Sequence, residues 1–198
     1  MMKNEYFYKM NKINFEIEFK NEDFSSIDIS NHEFDRCTFF NCIFSGNNLR
    51  VTIFIDCLMD NCNFSSVKFN NTSLKNVDFI DSKLVGTDFS NANEFLFSIN
   101  FKNCNLDFSN LYMTNLKKTQ FIDCSLKEID FSETNLTESI LINCDLLGSV
   151  FENTNLSKSD LSKSINYTIN PNNNNIKKAI FSYPEVIGLL KQFDIIIQ

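Results

Sequence analysis

Apolar side chains recur at every fifth position along most of this chain. The series runs over residues 19–89 and, after one shift, over 101–161, and every member is Phe or Leu except Ile29 and Met59. A helix face recurs about every 3.6 residues and a strand face every 2, so neither element explains this period. A fixed period of this kind indicates a repeat architecture. We therefore expect a solenoid in which the chain turns a corner every five residues and four corners close one coil.

The length of the solenoid follows from the number of apolar centres. The two series contain 28 centres, which predict seven coils at four centres per coil. At an inter-coil spacing of about 4.8 Å, seven coils form a rod of roughly 34 Å. We accordingly divide the chain into an amino-terminal cap at 1–18, a repeat region at 19–165 and a non-repeat segment at 166–198.

The residue two places after each centre is expected at the corner, where a tight turn favours positive φ and hence Gly or Asn. In the first series most of these positions are Asn, Gly or Asp, for example Asn41 and Gly86. In the second series the exceptions include Lys118, Glu128, Glu133 and Glu138. The sequence therefore predicts positive-φ corners in the first half and a different turn type in the second.

Corner residues on one edge repeat every 20 residues and are rich in amides. They are Asn21, Asn41, Asn61, Asp81, Asn103, Asp123 and Asn143. We interpret them as turn residues whose side chains stack from coil to coil. A ladder that binds a specific ligand is the alternative.

The residue two places before each centre is expected to point inward, where only a small side chain fits. All seven cysteines hold this position: Cys37, Cys42, Cys57, Cys62, Cys104, Cys124 and Cys144. Their recurrence at 20-residue steps is typical of buried packing in ladders. His32, the single histidine, holds the same position and is expected to be structural.

At this point the residues resemble a known family. The stretches 134–138 (TNLTE) and 154–158 (TNLSK) are similar to the A(D/N)LXX motif of pentapeptide-repeat proteins. The resemblance covers about residues 19 to 165 and implies an all-β solenoid, the right-handed quadrilateral β-helix. The position before the centre departs from the motif at several places: Ile43, Ile53, Leu58, Lys68 and Ile140.

The register breaks once, between Phe89 and Phe101, which lie 12 residues apart instead of 10. Glu94 occupies the position of a centre, and Phe95 and Phe97 follow it. One interpretation is an inherited splice of two solenoid halves. The functional one is a protrusion over residues 90–100 that contacts a partner through Glu94, Phe95 and Phe97.

The carboxy-terminal segment predicts a short helix and a strand. Residues 182–185 (SYPE) read as a capping box with an early proline, which begins a helix of about ten residues. Residues 194–198 read as a short strand, and its three consecutive isoleucines at 195–197 mean that both faces need burial. From these features we predict a homodimer, with an intramolecular cap as the alternative. The candidate interface residues are Val186, Ile187, Leu189, Leu190, Phe193, Ile195 and Ile197.

The charge of the chain adds a second functional hypothesis. Residues 19–161 carry 20 acidic and 11 basic side chains, and the whole chain has a net charge of −7. The terminal helix and strand resemble those of the dimeric quinolone-resistance (Qnr-type) pentapeptide proteins, a resemblance that implies DNA mimicry acting on DNA gyrase or topoisomerase IV. The chain lacks the longer loops of many Qnr-type coils. A continuous acidic stripe on one face favours mimicry of this kind, whereas scattered carboxylates favour a general binding scaffold.

The remaining candidate chemistry is weak. Cys37, Cys42, Cys57 and Cys62 place four thiols on adjacent coils, but zinc needs them to converge at about 2.3 Å from one point, and intervening centres separate them. No phosphate loop, nucleophile elbow or metal-binding helix motif is present. We therefore predict a cytoplasmic binding protein that is not an enzyme and uses no metal or cofactor. We also expect no contact with membranes and no direct binding to nucleic acid, since the charge is acidic.

Overall fold

The computed structural model describes residues 12–193 and 195–196, and it shows a parallel β-solenoid. Short strands alternate with corners, and each strand pairs with the strand about 20 residues further on. The strands are β1 (Ile13–Phe15), β2 (Glu18–Lys20), β3 (Glu33–Asp35), β4 (Thr38–Phe40), β5 (Ile53–Ile55), β6 (Leu58–Asp60), β7 (Ser73–Lys75), β8 (Val77–Ile80), β9 (Ile99–Lys102), β10 (Gln120–Ile122) and β11 (Ile140–Ile142).

The solenoid has four faces, which we number in chain order. The first face carries the four-stranded sheet β1-β3-β5-β7, and the second carries the seven-stranded sheet β2-β4-β6-β8-β9-β10-β11. Isolated bridges build the third face from Asp23 to Ile165 and the fourth from Asn48 to Val150. Bridges between residues 115, 135, 155 and 175 continue the first face below the register break. The predicted quadrilateral β-helix is therefore confirmed.

The apolar centres form the core, as the five-residue period predicts. Phe34, Phe54 and Leu74 stack above one another on the first face and are fully buried. Aromatic centres stack in parallel within a face and meet edge-on across the interior; for example, Phe39 stacks on Phe19 and meets Phe34 at 71°. Because each centre contacts the coils on either side, the core is continuous along the rod.

The prediction of a second turn type in the later coils is wrong. Lys118, Glu128, Glu133 and Glu138 all adopt positive φ, between 53° and 65°, as Asn41 and Gly86 do in the earlier coils. Each of these backbone N–H groups donates to a carbonyl of the next coil, as Lys118 N does to Thr137 O at 3.0 Å. Stacking of the coils imposes the left-handed conformation, and it prevails over the preference of the residue.

The solenoid also extends beyond both predicted boundaries. At the amino end, β1 already pairs with β3, and Asn14 fills a centre position while its side-chain amide donates to Glu33 O. At the carboxyl end, bridges continue to Asp160–Ile180, and Ile176 returns to the five-residue grid. Two intervening centres, Asn166 and Pro171, lack the large apolar side chain of the grid and conceal this continuation in the sequence.

The carboxy-terminal helix takes a different form from the one predicted. Two 3-10 helices, Glu185–Leu189 and Lys191–Phe193, replace a single helix of about ten residues. The capping box does not form, because the Ser182 hydroxyl donates to Ser162 O and Glu185 accepts from the backbone of Asn166. Ile195 and Ile196 lie outside any strand, and Ile197 lies outside the described residues. The side chains of Ser182 and Glu185 thus form hydrogen bonds with the last coil instead of capping a helix.

Candidate interaction surfaces

The interior cysteines lie in two ladders that serve packing. Cys42, Cys62, Cys104, Cys124 and Cys144 belong to one ladder, in which Ser82 fills the step between Cys62 and Cys104, and Cys37 and Cys57 belong to the other. Each thiol points at backbone carbonyls; Cys62 Sγ, for instance, lies 3.3 Å from both Phe39 O and Asp60 O. Among the residues that the structure describes, no three His, Cys, Asp or Glu side chains come together in a way that would hold a metal ion.

The raised pKa values of two of these thiols agree with a packing role. Burial raises the pKa of the Cys57 thiol to about 12. The hydrogen bond that Cys62 shares with Cys42, together with burial, raises the pKa of the Cys62 thiol. A thiolate is the reactive and metal-binding form, so raising the pKa suppresses both kinds of chemistry.

His32 is half-buried, unlike the cysteines that hold the same position in later coils. Its Nδ1 lies 3.2 Å from Ser30 O, and its ring stacks near Phe34 with centroids 6.4 Å apart. These contacts hold the imidazole against the corner of the first coils. The expectation that the ring points fully inward was therefore too strong.

The amide corners stack as predicted. Asn41 Nδ2 donates to Asn21 Oδ1 at 2.5 Å, and Asn143 Nδ2 donates to Asp123 Oδ1 at 2.8 Å. The residues of this ladder also adopt positive φ. Their side-chain donors and acceptors are used within the ladder, as expected of turn residues.

The register break is confined to the first face. On the second face β8 and β9 pair directly, with Phe79 opposite Phe101, so the two extra residues do not interrupt that sheet. The third and fourth faces also continue across the break, through bridges such as Lys83–Asn105 and Asp88–Asn110. On the first face, no bridge among the described residues joins β7 to the series that begins at Asn115. The break is therefore a local protrusion, and the solenoid is continuous.

Hydrogen bonds hold the protrusion, residues 93–98, to the coil above. Asn93 N donates to Thr72 O, and Ser98 N donates to Leu74 O, both at 2.9 Å. Within the protrusion, Phe95 N donates to Asn93 Oδ1, and Leu96 adopts a positive φ of 58°. Its shape is therefore fixed at both ends by backbone contacts.

Of the three predicted contact residues, Phe95 and Glu94 point outward, whereas Phe97 packs against the core. The Phe95 side chain is 68% exposed, and the ammonium of Lys75 lies 5.4 Å from its ring centroid. Leu96, which sequence reasoning missed, is 64% exposed. The structure thus brings Phe95 and Leu96 together as an apolar knob.

Further exposed apolar residues lie one coil below the knob. Met113 and Phe108 are each 58% exposed, and Tyr112 is 37% exposed. Phe108 and Met113 occupy corner positions with positive φ, where most earlier coils carry Gly, Asn or Ser, and Val51 is the exception. The sequence could have indicated this surface, because a large apolar residue at an exposed corner contributes nothing to the packing of the coils.

The candidate dimer residues divide into two groups. Leu189 packs against the core, and Gly188 lies so close to Tyr167 that an added Cβ would stand 2.2 Å from Tyr167 O. Leu190, Phe193 and Ile195 are exposed. Val186 and Ile187 are half-buried, and Ile196 is 89% exposed. The segment therefore covers the last coil with one side and leaves apolar side chains on the other.

Carboxylates are scattered over the solenoid. The second, third and fourth faces each carry more acidic than basic side chains, and the fourth face has Asp28, Asp88, Asp130, Glu133 and Glu152 against Arg50 and Lys68. Lysines interrupt the acidic series on each of these faces, for example Lys83 on the third and Lys102 on the second. Because scattered carboxylates favour a binding scaffold and a continuous acidic stripe favours DNA mimicry, this distribution favours a scaffold.

Comparison with known families identifies the class of this solenoid. A model described as "Pentapeptide repeat region" matches residues 32–111, and one described as "Pentapeptide repeats (8 copies)" matches residues 99–137 and 129–165. The chain belongs to the pentapeptide-repeat family. A comparison with curated protein sequences found no match.

Solved structures share the fold at low sequence identity. A trypsin-treated variant of QnrB1, a plasmid-mediated fluoroquinolone resistance protein, aligns with a TM-score of 0.56 and 21% identity, over 94% of this chain and 100% of that chain. HetL, a pentapeptide-repeat protein involved in heterocyst differentiation regulation in the cyanobacterium Nostoc sp. strain PCC 7120, aligns with a TM-score of 0.55 and 18% identity, over 86% of each chain. Across the described part of the chain, no helix has the length and apolar character needed to span a bilayer.

Proposed function

We propose that this protein is a binding scaffold that acts without catalysis and engages a protein partner through the knob formed by Phe95 and Leu96. The observation that carries this proposal is the exposure of both side chains on a segment whose ends are bonded to Thr72 and Leu74. Large apolar side chains on a fixed backbone lose little conformational entropy on binding, which suits them as anchors.

The surroundings of the knob support the same function. Met113 and Tyr112 extend the apolar surface to the next coil, and Glu94 gives it a charged rim. An apolar centre with a polar rim is the usual composition of a protein interface. The knob stands on a protrusion that the regular solenoid does not need, since the second, third and fourth faces continue across the same coils without it.

Site-specific crosslinking tests this function. In one variant, a photoreactive phenylalanine analogue replaces Phe95. In the control variant it replaces Phe40, which lies on the second face and is 40% exposed. In a lysate of the cells that produce the protein, we expect a discrete product from position 95 only, which disappears when Leu96→Ser is added. Identical products from both positions would contradict the proposal.

A second candidate function is acidic mimicry directed at a type II topoisomerase. The acidic excess on the second, third and fourth faces favours it, and QnrB1, a fluoroquinolone resistance protein, supplies the precedent within the fold. The carboxylates of the described residues are scattered and form no acidic stripe, which weighs against it. Addition of purified protein to a gyrase supercoiling reaction with and without a quinolone tests this candidate, and unchanged supercoiling at excess protein would exclude it.

A further inference from the structure

The lower part of the first face differs in charge from the rest of the solenoid. Below the knob, two outward columns carry five lysines and one acid. The lysines are Lys117, Lys118, Lys158, Lys177 and Lys178, and the acid is Glu138. We call this surface, together with the asparagines beside it, the basic platform.

Contacts around Glu138 show that the lysines form one cluster. Lys158 Nζ lies 3.0 Å from Glu138 Oε1, and Lys118 Nζ lies 3.9 Å from Glu138 Oε2. The hydrogen bond and charge of Lys158, with further contributions from Lys117 and Lys118, lower the pKa of Glu138. Two lysines therefore share this one carboxylate, which leaves an unbalanced positive charge on an exposed surface.

A ladder of amides lines the platform. Asn135 Nδ2 donates to Asn115 Oδ1, and Asn175 Nδ2 donates to Asn155 Oδ1, both at 3.0 Å. The hydroxyls of Thr137 and Ser157 lie 3.3 Å apart in the adjoining column. These short, mutually bonded side chains form a floor from which the longer lysines rise.

The platform is narrow and has acidic borders. The corner column on its fourth-face side contains Glu133, and Glu152 lies in the adjoining column. On its second-face side lies Asp160, bridged between Ile140 and Ile180. A wide polyanion centred on the lysines would meet these carboxylates, whereas an extended peptide would not.

We propose that the basic platform binds an extended acidic peptide segment of a protein partner, whose one apolar residue contacts the knob. This inference rests on the proposed function, because it assigns a partner chemistry to the same side of the solenoid. The knob lies directly above the platform on the first face, so one continuous segment reaches both.

The dimensions fix the length of that segment. From the knob to Lys177 there are four inter-coil steps, which at about 4.8 Å each give roughly 19 Å. An extended peptide advances about 3.3 Å per residue, so about six residues span this distance. Lys118, Lys158 and Lys178 lie in one column, with Glu138 at the step between the first two, so acidic residues of the peptide meet the lysines on either side of Glu138.

The shape and charge favour a peptide over a nucleic acid. Duplex DNA carries a phosphate for about every 1.7 Å of axis and continues past both ends of a site. Past the platform it would encounter Glu94 above and the acidic borders at each side, which repel it. A six-residue segment ends within the platform.

Fluorescence anisotropy tests the proposal with a defined probe. The probe is a fluorescein-labelled peptide of one tryptophan followed by six glutamates, and the comparison peptide has glutamine in place of every glutamate. We expect the intact chain to bind the acidic probe at least tenfold more tightly than the glutamine peptide, with affinity falling as salt is raised. The triple variant Lys117→Glu, Lys158→Glu, Lys177→Glu should lose binding by at least tenfold.

A matched variant separates platform charge from net charge. The triple change Lys20→Glu, Lys83→Glu, Lys102→Glu alters the net charge equally on other faces and should leave probe binding within twofold. Equal loss in both variants, or tighter binding of a 20-nucleotide single strand or duplex than of the acidic peptide, would overturn the proposal. The proposal would also be overturned if self-association of the protein competed with the probe, because a second copy of the chain would then be the occupant of the platform. Thermal melting confirms that each variant is folded.

Failure here can be distinguished from failure of the proposed function. Crosslinking at Phe95 with no binding of the acidic probe would reject the platform and retain the knob as an interaction site. Probe binding that is lost in the platform variant, without crosslinking at Phe95, would retain the platform and reject the knob.

Discussion

Phe44 and Phe64 stack face to face in adjacent coils, with ring centroids 4.5 Å apart and an interplanar angle of 10°. Both side chains are fully buried. Phe64 also meets Phe79 edge-on at 5.3 Å, so its ring links coils along the rod and faces across it. Each centre residue therefore stabilises more than its own coil.

From this packing we expect Phe64→Ala to lower the free energy of unfolding by about 3 to 5 kcal/mol, because it opens a cavity between two coils. Phe121→Ala should have a similar effect, since Phe121 stacks on Phe101 at 5.1 Å. Asn61→Ser, at an exposed corner, should cost much less. Denaturant melts measure all three, and equal losses would mean that the inward and outward positions are wrongly assigned.

The corner conformation gives a second prediction. Val51 adopts a φ of 59° in the same column as Asn71, whose φ is 52°. A β-branched residue is strained in this region, whereas Asn tolerates it. Val51→Asn should therefore raise the free energy of unfolding by about 1 kcal/mol, and Asn71→Val should lower it by a similar amount. Changes of the same sign in the two variants would refute this account of the corners.

The cap of the last coil gives a pH-dependent prediction. Burial, with a smaller contribution from the charge of Glu185, raises the pKa of Tyr167 to about 12, and its hydroxyl has no hydrogen-bond partner among the described residues. A raised folded-state pKa gives stability that is present below the unfolded value of 10 and is lost as pH rises towards 12.

At neutral pH the free energy of unfolding of Tyr167→Phe should thus exceed that of the parent protein by about 1 kcal/mol, because the change removes an unpaired buried hydroxyl. The advantage of the variant should grow between pH 10 and 12. Denaturant melts of both proteins across this range measure the difference directly. A constant difference would show that the hydroxyl is solvated in the folded state.

The exposed carboxy-terminal side chains lead to a prediction about assembly. We expect a homodimer joined through this segment, because Leu190, Phe193 and Ile195 remain exposed after the segment has covered the last coil. The double variant Leu190→Asp, Phe193→Asp should be monomeric by light scattering, whereas Leu147→Asp on the third face should remain dimeric.

A truncated chain provides the control for this prediction. It should end at Ser182, because bridges continue to Ile180 and an earlier end would remove part of the solenoid. The truncated chain should be a folded monomer. A monomeric mass for the intact chain at micromolar concentration would exclude the dimer.

The sequence determined the coil and its core. The spacing of the centres predicted parallel stacking at 20-residue steps, and residues such as Phe34 and Phe54 pair in that register. The position of each cysteine predicted its burial, because inward sites accept only small side chains. These features depend on local periodicity, which every coil repeats.

Only the tertiary structure decided the features in which one coil constrains another. Glu128 and Lys118 have no preference for positive φ, yet hydrogen bonds to the next coil hold both of them there. Asn166 and Pro171 interrupt the grid, although bridges above and below carry the solenoid past them. The approach of Lys158 to Glu138, and the outward direction of Leu96, likewise follow from stacking and from the path of the protrusion. Such contacts join residues about 20 positions apart, and the five-residue pattern carries no information about them.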